Sequence, residues 1–144
     1  MPEKATKERA EKLKREGKAP STQAGEFVRE EIEHVREGKH GARSTKQAIA
    51  IGLSKARRAG VKLPAKKGTS KKTQEQAERD IQKGQRKTKK SAKRSRATLQ
   101  ALKREGRSAA SKKALSRQAR AAAKKRSKAS RSRAAKKAAR TRKK

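Results

Sequence analysis

The sequence predicts a mostly α protein: a small αα-hairpin module followed by a largely disordered or conditionally helical basic tail. Charge is the first observation behind this reading. The 144 residues carry 48 Lys and Arg against 13 Asp and Glu, a net charge of +35, and the sequence pI is about 11.7. The second is the placement of large apolar residues, of which there are fifteen from Met1 to Leu115, nine of them between Phe27 and Leu63. One miniature core is therefore affordable, and the remaining chain has too little apolar surface to offset its conformational entropy. The third is a charge boundary. Residues 1–64 hold 16 basic and 9 acidic residues, net +7, while residues 65–144 hold 32 and 4, net +28, with no acid after Glu105.

Residues 1–20 read as a charged N-terminal helical segment. Their opening, "MPEKATKERAEKLKREGK", lacks the apolar stretch of a secretory signal, and no run approaches the roughly 20 apolar residues of a membrane span; a cytosolic location without membrane contact is expected. In the hairpin module, residues 21–64, Ser21 is the expected cap of a helix ending near Glu37 with Gly38 as its stop. Steps of about 100° per residue put Ala24, Val28, Ile32 and Val35 on one face. Ser44 with Gln47 forms a capping-box pattern for a second helix ending at Gly60, after which Val61 is expected to fold back near Ala56. Its apolar face comprises Ala48, Ile49, Gly52, Leu53, Ala56 and Ala59, and the small residues there suit a close helix approach. Glu26, Glu30, Glu33 and Glu37 are expected on the outside of the first helix, with Lys46, Arg57 and Arg58 on the outside of the second.

Pro64 followed by "AKKGTSKK" marks residues 65–72 as a linker. The tail, residues 73–144, contains two marginal helix patterns, Thr73–Lys83 with a Thr73/Gln76 capping pair, and "SAKRSRATLQALKREG" ending at Gly106. "LKREG" occurs at 13–17 and again at 102–106, a recurrent helix stop rather than a duplication. From Ser108 onward the chain is a polymer of Ala, Lys, Arg and Ser. Repulsion among the 17 basic residues of 106–144 is expected to keep it extended until neutralised. In helical form, Lys113, Arg117, Arg120, Lys124, Lys128 and Arg131 would make one continuous cationic ridge.

The stretch "GKHGARSTKQAIAIGLSKARRAGVKLP", residues 38–64, resembles a family of short basic bacterial proteins of unknown function that share the form S-[RKT]-K-Q-A-I-A-I-[AG]-L-S-x-A. Ser44, Lys46, Gln47, Ala48, Ile49, Ala50, Ile51, Leu53, Ser54 and Ala56 carry the resemblance. It implies a bacterial origin and a small helical module and transfers no activity. The long basic tail departs from that module, and its composition resembles linker-histone tails and the alanine- and lysine-rich histone-like proteins of bacteria.

A chain of this charge is expected to bind a polyanion. The candidate nucleic-acid-binding residues are Lys46, Arg57 and Arg58 in the hairpin, and Lys112, Lys113, Arg117, Arg120, Lys124, Lys125, Arg126, Lys128, Arg131, Arg133, Lys136, Lys137, Arg140 and Arg142 in the tail. Engaging 8 phosphates implies a slope of about −7 in log affinity against log salt. The chain has no Trp or Tyr and a single Phe, Phe27. That poverty of stacking side chains favours duplex DNA over single strands, and a chain without a rigid reading element is expected to ignore base sequence. The expected function is DNA binding and compaction in the manner of a nucleoid-associated protein, with RNA or ribosome binding as the alternative and self-association through residues 21–64 as an accessory. No enzyme, cofactor or metal site is expected. Cysteine is absent, there is no Gly-rich phosphate loop, and His34 and His40 stand six apart with none of the usual metal-ligand spacing, which reads as polar surface.

Overall fold

Helix punctuation decides where this chain turns. The computed structural model describes residues 2–86 and 91–142; residues 87–90 and 143–144 of the expected tail lie outside the described residues. The helices are α1 (Lys4–Arg15), α2 (Pro20–Glu37), α3 (Thr45–Arg58), α4 (Lys71–Gln85), α5 (Ala92–Lys103), α6 (Lys112–Lys124) and α7 (Lys128–Arg142). A 3-10 turn, Ser108–Ala110, precedes α6, and there is no strand among the described residues.

α2 starts at Pro20 rather than after Ser21, because a proline in the first turn has no N–H to leave unpaired. It stops at Gly38, whose φ of 78° lets the Lys39 amide reach back to the His34 carbonyl at 3.0 Å. The cap of α3 is as expected, with the Gln47 amide donating to Ser44 Oγ at 3.2 Å, although the Gln47 side chain accepts from the Arg43 amide, one residue earlier than the usual box. At the other end of α3 the Val61 amide donates to the Ala56 carbonyl at 3.1 Å, and Val61 is buried beside Ala56. Serines cap the later helices too: the Oγ atoms of Ser70, Ser91, Ser111 and Ser127 each accept from the amide three residues on.

α2 and α3 form the expected hairpin, and Gly52 sets its closeness. A Cβ there would lie 2.7 Å from Val28 Cα, so the two backbones touch where no larger residue fits. The apolar faces divide into two clusters. Ala24, Phe27, Ala56 and Val61 pack with Ala10 of α1, while Ile32, Val35, Ala42 and Ala48 pack with Ala109 and Ala110 and with the partly buried Leu115.

That second cluster corrects the expectation of a disordered tail. Most of the described C-terminal chain is helical, and Ala109 and Ala110, with the partly buried Leu115, join the core. The Gly41 amide donates to the Leu102 carbonyl at 2.9 Å and the Ala42 amide to the Gly106 carbonyl at 3.0 Å. Thr45 Oγ1 donates to the Ala109 carbonyl at 2.7 Å and Arg36 Nε to that of Ala110 at 2.9 Å. The physical reason is that backbone hydrogen bonds and two alanines dock the returning chain on the loop end of the hairpin, a docking that needs few large side chains. Gly41 is essential to it, since a Cβ there would fall 1.9 Å from the Glu105 carbonyl oxygen.

The predicted linker is shorter than expected, because α4 already begins at Lys71. α4 crosses the end of α3, where a Cβ at Gly84 would sit 2.7 Å from the Arg57 carbonyl oxygen. Asp80, wholly buried, pairs there with Arg58.

Candidate functional site

Cationic side chains fall into two groups according to whether the fold uses them. Arg57 Nε donates to the Leu63 carbonyl at 2.7 Å, tying down the segment after α3. Arg58 reaches Asp80 through Nη2 at 2.8 Å, and Nε donates to the same oxygen at 2.9 Å. Two of the three hairpin candidates are thus engaged within the molecule, while Lys46 is exposed.

The tail candidates are differently placed. On α6, Leu115 turns toward the core, and Lys113, Arg117, Arg120 and Lys124 line a shallow depression on a solvent-facing side together with Ser116 and Ala121. Lys112 and Lys125 are exposed beside them. α7, which carries Lys128, Arg131, Arg133, Lys136, Lys137, Arg140 and Arg142, has no buried residue at all. The expected continuous ridge is interrupted. α6 ends at Lys124, Ser127 caps the next helix, and Arg126 bends onto Ser130 at 3.2 Å, so Lys128 and Arg131 belong to a second helix.

Acids explain why these charges remain available. Glu26 is held by Arg9 at 2.8 Å, Glu33 by Arg29 at 3.0 Å and Glu37 by Lys39 at 3.0 Å. Among the described residues no ion pair reaches α5, α6 or α7.

Sequence reasoning missed a second constellation. Glu30, expected on the outside of the first helix, is buried, as is its neighbour Glu31. The Glu30 carboxylate accepts from the Glu3 amide at 3.2 Å, so it serves the N-terminus of α1. Glu31 meets His40 Nε2 at 3.2 Å through Oε1, and Lys55 Nζ lies against its Oε2. His40 is buried with Nδ1 3.0 Å from the Gly41 carbonyl, and the side chain of His34 is only 13 % exposed, which corrects the reading of both histidines as surface residues. Their rings meet edge to face with centroids 6.1 Å apart. His34 Nε2 also lies 3.1 Å from Glu3 Oε1; this hydrogen bond, reinforced by the Lys39 ammonium, holds the exposed Glu3 carboxyl below its ordinary value. One ligand atom from each of Glu31, His34 and His40 lies within 4.8 Å of the others, so among the described residues these three side chains form a group of metal-ligand types. Glu31, His34, His40 and Lys55 open onto a groove whose walls include Ile51 of α3 and Leu99 of α5. The signal that could have found them was weak: Glu31 and His34 are one turn apart, and Gly38 returns the chain toward them.

Residues 14–67 match the model of a family of unknown function (DUF6496), a span covering the end of α1 and all of α2 and α3 and ending before α4. No curated protein and no solved structure matches the chain. No helix among the described residues is long and apolar enough to cross a membrane.

Proposed function

We propose that this protein binds duplex nucleic acid without reading its sequence, and that it coats or condenses DNA in the manner of bacterial histone-like proteins, in the cytoplasm and on the nucleoid. One observation carries the reading. α6 and α7, the helices of highest net charge, have no acid partners, and their cations face solvent on α6 and around all of α7. Phosphates are met by such surfaces through charge and counterion release, and no aromatic side chain is placed to stack on a base, Phe27 being buried in the core. Two short cationic helices joined at residues 125–127 suit a duplex backbone better than a rigid rod would, since the joint lets each helix follow its own stretch of phosphates. Arg57 and Arg58 drop to a supporting role because the fold already holds them.

The test is a salt-dependent titration of the full chain against matched duplex DNA and structured RNA, beside a chain ending at Ser127 and an Arg117→Gln/Arg120→Gln variant. The full chain is expected to show a slope of about −7, and removal of α7 to make it shallower by about 3 to 4, the loss of roughly four phosphate contacts at 0.9 each. An unchanged slope in both variants would overturn the reading. Clear preference for folded RNA would turn the same surface to the alternative, a ribosome- or RNA-bound protein.

A further inference from the structure

We propose that Glu31, His34 and His40 form a binding site for one first-row divalent transition ion of the zinc class, and that this ion locks the corner onto which the C-terminal half docks. The polar contacts of His40 come first. Its Nδ1 lies 3.0 Å from the Gly41 carbonyl and its Nε2 lies 3.2 Å from Glu31 Oε1. Both neighbours are pure acceptors, whereas a neutral imidazole carries one N–H. With Nδ1–H given to the carbonyl, the Nε2 lone pair faces a carboxylate, and either a second ring proton or a cation between them joins the pair. A divalent ion is such a cation, with the carbonyl fixing the ring through the opposite nitrogen as outer partners of metal-bound histidines do.

Glu31 gives the second, independent observation. It is wholly buried, and neither carboxylate oxygen has a hydrogen bond of proper alignment. Lys55 lies against one of these oxygens as an ion pair, and its side chain is partly exposed, so it has somewhere to go. The ligand atoms of the three residues are within 4.8 Å of one another. Tetrahedral ligands about 2 Å from a zinc ion stand roughly 3.3 Å apart, so closure asks for movements on the order of 1 Å in side chains at a groove wall. Two imidazoles and one carboxylate suit zinc, cobalt or nickel rather than magnesium or calcium, which prefer oxygen alone. Position gives the ion its purpose: His40 immediately precedes Gly41 and Ala42, whose amides hold the Leu102 and Gly106 carbonyls.

The experiment uses the untagged full chain, stripped with chelator, titrated with Zn²⁺ by calorimetry and with Co²⁺ by visible absorption. One ion per chain is expected, with affinity at least tenfold lower in His34→Ala and in His40→Ala. Lys55→Met supplies the arm that does not depend on those variants folding. Without the competing ammonium the variant is expected to melt lower than the parent in chelator, to bind Zn²⁺ at least tenfold more tightly, and to regain its thermal midpoint on adding the ion. Absence of saturable 1:1 binding overturns the proposal. So do equal affinity in the folded histidine variants and a Lys55→Met chain that Zn²⁺ does not restore, either of which makes the cluster an ion-pair network alone.

Discussion

Asp80 and Arg58 are unequal partners at the scale of single residues. Asp80 is fully buried and accepts from Gln76 as well as Arg58, whereas the Arg58 side chain is 40 % exposed. Removing the arginine strands a buried carboxylate; removing the carboxylate leaves an arginine that water can solvate. Arg58→Met is therefore expected to cost about 3 kcal/mol and Asp80→Asn about 1 kcal/mol, read from the urea midpoints of the two variants. Residue-scale features were legible in the sequence wherever the cause was local. Gly38, Gly60 and Ser44 act within one turn of themselves, and the structure finds them as read, while the Gln47 side chain takes the Arg43 amide in place of the Ser44 amide. Glu30, Glu31 and Asp80 are not legible as buried groups, because their partners Glu3, Lys55 and Arg58 lie far away in the chain.

At the scale of elements, three mid-chain glycines mark where backbones meet. Alanine at position 52 would raise intrinsic helix propensity by about 1 kcal/mol, yet Gly52→Ala is expected to destabilise by about 1 to 3 kcal/mol, because Val28 Cα occupies the space its methyl needs. Gly41→Ala is expected to do something different. Its clash is with the returning strand of chain at Glu105, so amides at Gly41, Ala42 and Ala110 should lose hydrogen-exchange protection while those of the α2–α3 hairpin keep theirs. The hairpin was readable from period and caps, but the return was not. Ala109 and Ala110 are apolar by only a methyl each, and nothing in an alanine-rich stretch distinguishes the two that are buried from those left in water. Serine was the overlooked sign, since Ser70, Ser91, Ser111 and Ser127 divide an apparent polymer into helices.

At the scale of the whole molecule, charge and core are segregated. α7 contributes no buried residue, so a chain ending at Ser127 is expected to keep the thermal midpoint of the full chain within error while losing nucleic-acid affinity, and differential scanning calorimetry beside the binding titration separates these effects. Phosphorylation of Ser116, beside the α6 cations, would subtract nearly two charges and weaken binding in the same assay. The fold class was legible from composition as mostly helical; the extent of order was not, because repulsion along the tail is visible in the sequence and the docking that opposes it is not. The return of residues 102–115 onto the hairpin also bears on synthesis. A ribosome releases the α2–α3 module before it has made the alanines that finish the second cluster, so Ile32, Val35, Ala42 and Ala48 wait uncovered for the translation of about fifty further residues. At roughly 5 to 20 residues per second that interval lasts on the order of 3 to 10 s, during which the nascent chain offers a sticky edge that the finished protein hides.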